Sequence, residues 1–135
     1  MNTKLLMAST AVLLALMGLC LTFLPGEIAG YFLPGSTIIW QLFIQVLGAL
    51  YLAFAMLNWM TKENVMGGIY NRPIAIANLT HFLIGALALV KGLMKHPDLP
   101  WAVWTMAGLY ALFALFFGMV FFRSPVRKKE LTTAS

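Results

Sequence analysis

Two polar side chains interrupt the apolar segment at residues 73–93. Asn78 and His81 lie three positions apart, so a helix places them on one face. An imidazole can take up or release a proton near neutral pH, and a side-chain amide both donates and accepts hydrogen bonds. Because an ionisable residue inside a membrane segment is energetically costly, we treat His81 as a functional candidate.

Several interpretations of His81 are open. The first is a neutral packing residue that is bonded to a hydroxyl or amide. The second is a proton-handling residue, and the third is a hydrogen-bonding anchor for a quinone, a lipid or another amphiphile. The apolar segments contain no acidic residue, which argues against an ion-coupled pump and against paired-carboxylate catalysis. Haem binding would require a second axial ligand at the depth of His81. The other histidine, His96, lies in a connection, which argues against haem. We assign no catalytic residue, metal site or cofactor, and keep quinone or lipid as candidate ligands.

The elements that carry these residues follow from composition. The chain is 61% hydrophobic and 10% charged, whereas soluble domains carry about 25% charged residues. Four apolar segments, at residues 5–24, 38–60, 73–93 and 101–122, each have at least the roughly 20 residues that a helix needs to cross a bilayer. None alternates as the strands of a membrane barrel do. We therefore predict an all-α integral membrane protein with one domain over residues 1–135.

Charge and connection length predict the topology. The connections at residues 25–37, 61–72 and 94–100 are short, which favours an antiparallel four-helix bundle. Two basic residues lie on one predicted side, and seven lie on the other: Lys4, Lys62, Arg72, Arg123, Arg127, Lys128 and Lys129. Positive charge collects in the cytoplasm, so we expect both termini and a basic tail at residues 123–135 there. Because the charge flanks apolar segments, we exclude nucleic acid as a partner.

Each segment has a line of small or polar residues at helical spacing. Helices in lipid associate through close packing and hydrogen bonds, so these lines predict the bundle interior and leave the bulky faces to lipid. The lines are Ala8, Ala11, Ala15, Gly18 and Thr22; Gln41, Gln45, Gly48, Leu52 and Ala55; Asn78, His81, Gly85, Ala88 and Gly92; and Gly108, Ala111, Ala114 or Leu115, and Gly118.

The polar residues of these helices are predicted to form a layer in the cytoplasmic half. Its members are Ser9, Thr10, Tyr51, Asn58, Asn78 and His81, with Asn71 and Arg72 at its lower edge. Gln41 and Gln45 form a smaller outer group, with Thr22 and Thr105 as candidate neighbours. From both groups we predict ligand-binding residues, namely His81, Asn78, Tyr51, Asn58, Gln45, Asn71 and Arg72.

The first connection contains the amphipathic sequence "EIAGYFL" between two Pro-Gly pairs. Proline and glycine mark turns, and an amphipathic stretch between them is typical of a short helix on a membrane surface. This segment, "FLPGEIAGYF", and the long run "GALYLAFAMLNWMTKENVMGGIYNRPIAIANLTHFLIGALALVKG" resemble the DoxX-like four-helix membrane proteins of bacteria. The likeness covers most of the chain and is carried by Gly48-Ala49-Leu50-Tyr51 and the polar residues of the third segment.

That resemblance implies a bacterial inner-membrane protein. Some members of the family are linked to quinone or thiol redox systems, and others are accessory subunits. Cys20 is the only cysteine, so a paired-thiol role does not fit. We expect an accessory subunit or a binder of a small amphiphile, alone, as a homo-oligomer or in a larger membrane complex. The alternatives are a redox or lipid-modifying enzyme that uses His81 as acid–base or quinone anchor, and a dimeric channel or exporter.

Overall fold

The computed structural model describes residues 3–63 and 72–123, and within these ranges every regular element is a helix. The helices are α1 (Thr3–Phe23), α2 (Pro25–Phe32), α3 (Ile38–Thr61), α4 (Arg72–Lys95) and α5 (Trp101–Arg123). The four long helices begin and end within two residues of the predicted segments. Asn71 and the tail from residue 124 onward lie outside the described residues.

The long helices have the dimensions and surface of membrane spans. They contain 21 to 24 residues, which corresponds to about 32–36 Å at 1.5 Å per residue. Large apolar side chains remain exposed along them, including Met60 at 74%, Met94 at 81% and Phe122 at 82%. Such continuous apolar exposure suits lipid and not water. Among the described residues, four helices are therefore long and apolar enough to cross a membrane.

The chain divides into two units, the first of which contains α1, α2 and α3. In this unit α1 and α3 pack backbone to backbone. A Cβ atom added to Gly48 would lie 2.5 Å from Thr22 Oγ1 and 3.0 Å from the Gly18 carbonyl oxygen, so only glycine fits there. At the opposite end, Lys4 Nζ pairs with Glu63 Oε2 at 2.9 Å. The two helices therefore run antiparallel, and the predicted small-residue contact is confirmed at Gly18, Thr22 and Gly48.

The short helix α2 joins α1 to α3. Pro25 begins it, where a missing N–H is harmless because the first turn has no carbonyl to bond it. Leu33 is its C-cap residue, and the Leu33 N–H donates to the Ala29 carbonyl oxygen at 2.7 Å. Ala29 is fully buried. A helix predicted in this connection is confirmed, and its position on a membrane surface stays a prediction.

The second unit contains α4 and α5, which also run antiparallel. Arg72 at the start of α4 lies over the Phe121 ring near the end of α5, with its Cζ 5.7 Å from the ring centroid. Further along, Phe82 stacks on Phe113 with centroids 5.1 Å apart, and His81 reaches Tyr110. Aromatic rings therefore fill the space between these two helices.

The predicted small-residue lines are wrong for much of the second unit. On α5, Gly108 is exposed, whereas Ala114 of the predicted alternatives Ala114 and Leu115 is buried as expected. The other buried residues of α5 are Ala107, Tyr110, Phe113, Phe117 and Val120. On α4, Ala88 is exposed, and the buried residues are Ala75, Asn78, Phe82, Ala86 and Leu93. Bulky side chains are buried because stacked rings make many dispersion contacts between the two helices. On α1 too, the bulky Met7 and Leu14 are fully buried.

Candidate functional site

His81 of α4 and Tyr110 of α5 form a polar pair in the second unit. The tyrosine hydroxyl oxygen lies 3.3 Å from His81 Nε2, slightly beyond the usual range for a hydrogen bond. The hydroxyl donates if the imidazole proton is on Nδ1, and Nε2–H donates if it is on Nε2. Tyr110 is buried, whereas His81 is half-buried. The histidine is therefore both bonded to its neighbour and accessible from outside the helix pair.

Gly85 makes room for this pair. It lies one helical turn after His81, and a Cβ atom at this position would approach two carbons of the Tyr110 ring at 2.6 Å. Any larger residue would have to displace the ring that carries the hydroxyl. Gly85 was predicted as part of a packing line, and here it admits a side chain from the facing helix.

Phe82 fixes the Tyr110 ring from the other side. It is fully buried, meets the Tyr110 ring edge to face at 5.1 Å, and stacks on Phe117 at 5.8 Å between centroids. The His81 ring meets the Phe82 ring edge to face at 5.0 Å. Aromatic contacts of this kind are each worth about 0.5–1.5 kcal/mol beyond area burial. The polar pair is therefore held at the edge of a rigid aromatic cluster.

Asn78 lies one turn before His81 on α4. Its side chain is fully buried, and Nδ2 donates to the Ile74 carbonyl oxygen of the same helix at 2.9 Å. Burying an amide is favourable only when it is hydrogen-bonded, and this bond supplies part of that requirement. The prediction that Asn78 avoids the exposed face is confirmed.

The first unit buries its own polar residues. Tyr51, Asn58 and Thr10 are buried on α3 and α1, and Thr10 Oγ1 donates to the Leu6 carbonyl at 2.8 Å. Ser9 is exposed, with its hydroxyl bonded to the same carbonyl at 3.0 Å. The placement of Ser9 in a buried layer is therefore wrong, because its helix backbone satisfies the hydroxyl at the surface. A single layer that joins both units stays a prediction.

The smaller outer group is partly present. Gln45 Nε2 donates to the Thr22 carbonyl oxygen at 3.4 Å, a long bond between α3 and α1. The Thr22 hydroxyl is buried and has no hydrogen-bond partner among the described residues. Thr105 is exposed, and its hydroxyl donates to the Trp101 carbonyl of its own helix. Gln45 lies thirteen residues before Asn58, or about 20 Å along α3, so it cannot share one small ligand with that residue.

The lower edge of the predicted layer includes Arg72 and Asn71. Arg72 is exposed and packs on the Phe121 ring of α5. An arginine over an aromatic face gains a cation–π contact, worth about 0.5–1 kcal/mol at an exposed site. Asn71 lies outside the described residues.

Tyr110 is the site residue that was absent from the predicted set. Tyrosines in membrane proteins are common near the ends of spans, and Tyr31 and Tyr70 follow that rule in the sequence. Tyr110 lies nine residues from the start of α5 and thirteen from its end. Its central position was the signal, because a phenol hydroxyl so far from the interface needs a polar partner.

No protein-family model, curated protein or solved structure matches this chain. The chemistry of the site therefore rests on the residues themselves. His81 and Tyr110 together can donate to and accept from a carbonyl or hydroxyl group. Those functional groups occur on the polar ends of membrane amphiphiles.

Proposed function

We propose that this protein is a small multi-pass protein of a bacterial inner membrane that binds a small amphiphilic ligand, alone or as an accessory subunit. The single observation that supports this proposal is the His81–Tyr110 pair, 3.3 Å apart in a largely apolar helix hairpin, with the histidine half-buried. A quinone, a lipid or a related molecule would place a carbonyl or hydroxyl oxygen beside the imidazole.

We also propose that both termini are cytoplasmic and that the four long helices form an antiparallel bundle similar to that of the DoxX-like family. The support is in the sequence: seven basic residues against two favour this orientation, and short connections favour antiparallel neighbours. So small a bundle has little interior of its own, which favours a homo-oligomer or a larger complex. Labelling of cysteines introduced at the two termini, in cells and in inverted vesicles, tests the orientation.

The ligand proposal is tested by native purification. The full-length chain is extracted together with its surrounding lipid, and the bound small molecules are identified by mass spectrometry. The variants are His81→Ala and Tyr110→Phe. The matched control is His96→Ala, which removes the other histidine, an exposed residue between α4 and α5.

We expect one amphiphile to be retained by the wild type and by His96→Ala. Loss of a hydrogen bond worth about 1.4 kcal/mol would reduce retention by His81→Ala about tenfold. The proposal fails if no specific molecule is retained, or if His81→Ala retains it as the wild type does.

A further inference from the structure

A groove lies between α1 and α3 on the surface of the first unit. Its volume is about 240 Å³, and its floor is made of Ala11, Ala15 and Ala55. Met56 and Trp59 form part of its wall, and they are 66% and 52% exposed. We call this feature the α1–α3 groove. It is open at the surface and is lined almost wholly by apolar atoms.

The groove follows the axis of α3. Its lining extends along this helix from Leu52 to Met60, which is about 12 Å at 1.5 Å per residue. The α1–α3 groove is therefore long enough for part of a hydrocarbon chain, and its apolar lining provides almost no hydrogen-bonding group for a polar solute.

A positively charged side chain lies beside one end of the groove. Lys62 immediately follows α3, and its Nζ lies 3.0 Å from the centroid of the Trp59 ring. Lys4 and Glu63, at the same end of the unit, neutralise each other in an ion pair. Lys62 has no ion pair with any carboxylate of the described residues. The surface therefore changes from apolar to cationic across one indole ring.

We propose that the α1–α3 groove binds one acyl chain of an anionic phospholipid, whose phosphate pairs with Lys62 Nζ. The apolar lining matches the chain, and the Lys62 ammonium, which has no ion pair within residues 3–63 and 72–123, matches the negative head group. A transmembrane helix of a second copy would cover the alanines but would leave the charge of Lys62 uncompensated. This inference needs only the membrane placement proposed above and is independent of any ligand at His81.

Trp59 reports directly on this site. The full-length chain, with its other three tryptophans changed to phenylalanine, is reconstituted in phosphatidylcholine vesicles that contain a minor fraction of phosphatidylglycerol. Either lipid carries bromine atoms on its chains, which quench tryptophan fluorescence on contact. The matched control keeps only Trp104, which is also 52% exposed but lies in the second unit.

We expect anionic lipid to be enriched about fivefold over its mole fraction at Trp59, as one lysine near the surface provides, and not at Trp104. Lys62→Gln should reduce the enrichment to below about twofold, and Lys95→Gln, at the exposed end of α4, should leave it unchanged. Equal quenching by both lipids at Trp59, or equal enrichment at Trp104, would overturn the proposal.

A second pair of variants tests the groove. Ala15→Leu fills its floor, whereas Ala53→Leu adds the same volume at an exposed position of α3 outside the lining. Circular dichroism first establishes that each variant folds. We expect the enrichment to be lost in Ala15→Leu and kept in Ala53→Leu, and enrichment that persists in both would refute the groove as the chain site.

Two further outcomes identify the cause of a failure. If neither lipid quenches Trp59 but both quench Trp104, protein covers the groove, and cross-linking through Met60→Cys would then detect a second copy there. If neither tryptophan is quenched, the helices do not lie in the bilayer, and the membrane placement itself fails.

Discussion

The two helix pairs of this protein differ in the side chains that lie between their helices. Between α1 and α3, Gly18 and Gly48 bring the backbones so close that a single added Cβ would clash with backbone atoms. Between α4 and α5, the Phe82 ring instead stacks on the rings of Phe113 and Phe117. Without a hydrophobic driving force between helices in lipid, both pairs depend on dispersion contact, which either geometry can supply.

The difference has consequences for what each pair can bind. Close backbones leave alanines beside the contact, and these form the floor of an apolar groove on the first unit. Between α4 and α5, the absence of a side chain at Gly85 leaves room for the phenol of Tyr110, so the second unit can hold a polar pair between its helices. The first unit is thus suited to a hydrocarbon chain and the second to a polar group.

Removing a ring from the second pair should give the largest effect. Phe82→Ala would leave a cavity bordered by the rings of His81, Tyr110, Phe113 and Phe117. We expect a loss of about 2–3 kcal/mol in unfolding free energy, below the usual 3–5 because lipid also solvates the unfolded helices. Phe122→Ala, at a residue that is 82% exposed, should change stability by less than about 0.5 kcal/mol. Unfolding by dodecyl sulfate in mixed micelles measures both, and equal losses would contradict the buried stack.

Adding one carbon to the first pair should give the next largest effect. Gly48→Ala forces α1 and α3 apart, because the new Cβ meets the Thr22 hydroxyl and backbone nitrogen at 2.5 and 2.8 Å. We expect a loss of about 1–2 kcal/mol.

The same change at Gly92 or Gly108 is the control for Gly48→Ala. A Cβ at either position has no atom within 4 Å, and alanine favours helix, so we expect these variants to gain up to about 1 kcal/mol. If Gly48→Ala were equally stable in the same mixed-micelle assay, the backbone contact would be refuted.

The comparison also shows what the sequence could predict. The four long helices could be predicted from the apolar segments, because length and a low content of charged residues decide whether a helix can span lipid. The small-residue rule correctly placed Gly18 and Gly48 in contact. It failed on α5, where Gly108 is exposed and Phe117 is fully buried. The rule describes how backbones approach and does not account for rings that stack across a gap.

The candidate site was predicted only in part. His81 and Asn78 stood out because polar residues are rare in these segments, and Asn78 is fully buried. The partner of His81 could not be derived, since it depends on the register between α4 and α5. One residue of slip would replace Tyr110 by Leu109 or Ala111 opposite Gly85. That register is set by ring packing along the whole interface, which no local pattern contains.

The smallest expected effect is the coupling between His81 and Tyr110, and it sharpens the contrast between the pairs. Hydrogen bonds between membrane helices average about 0.6 kcal/mol in double-mutant cycles, and a distance of 3.3 Å places this one among the weaker bonds. We expect a coupling of about that size for His81→Ala with Tyr110→Phe in the mixed-micelle assay, and none for His96→Ala with Tyr110→Phe. A coupling above about 2 kcal/mol would exceed the range seen for such bonds and would identify the pair as a main structural contact of the hairpin. The aromatic cluster beside this pair already holds α4 and α5 together. Because the pair itself contributes so little to stability, its polar groups can bind a ligand without loss of the hairpin.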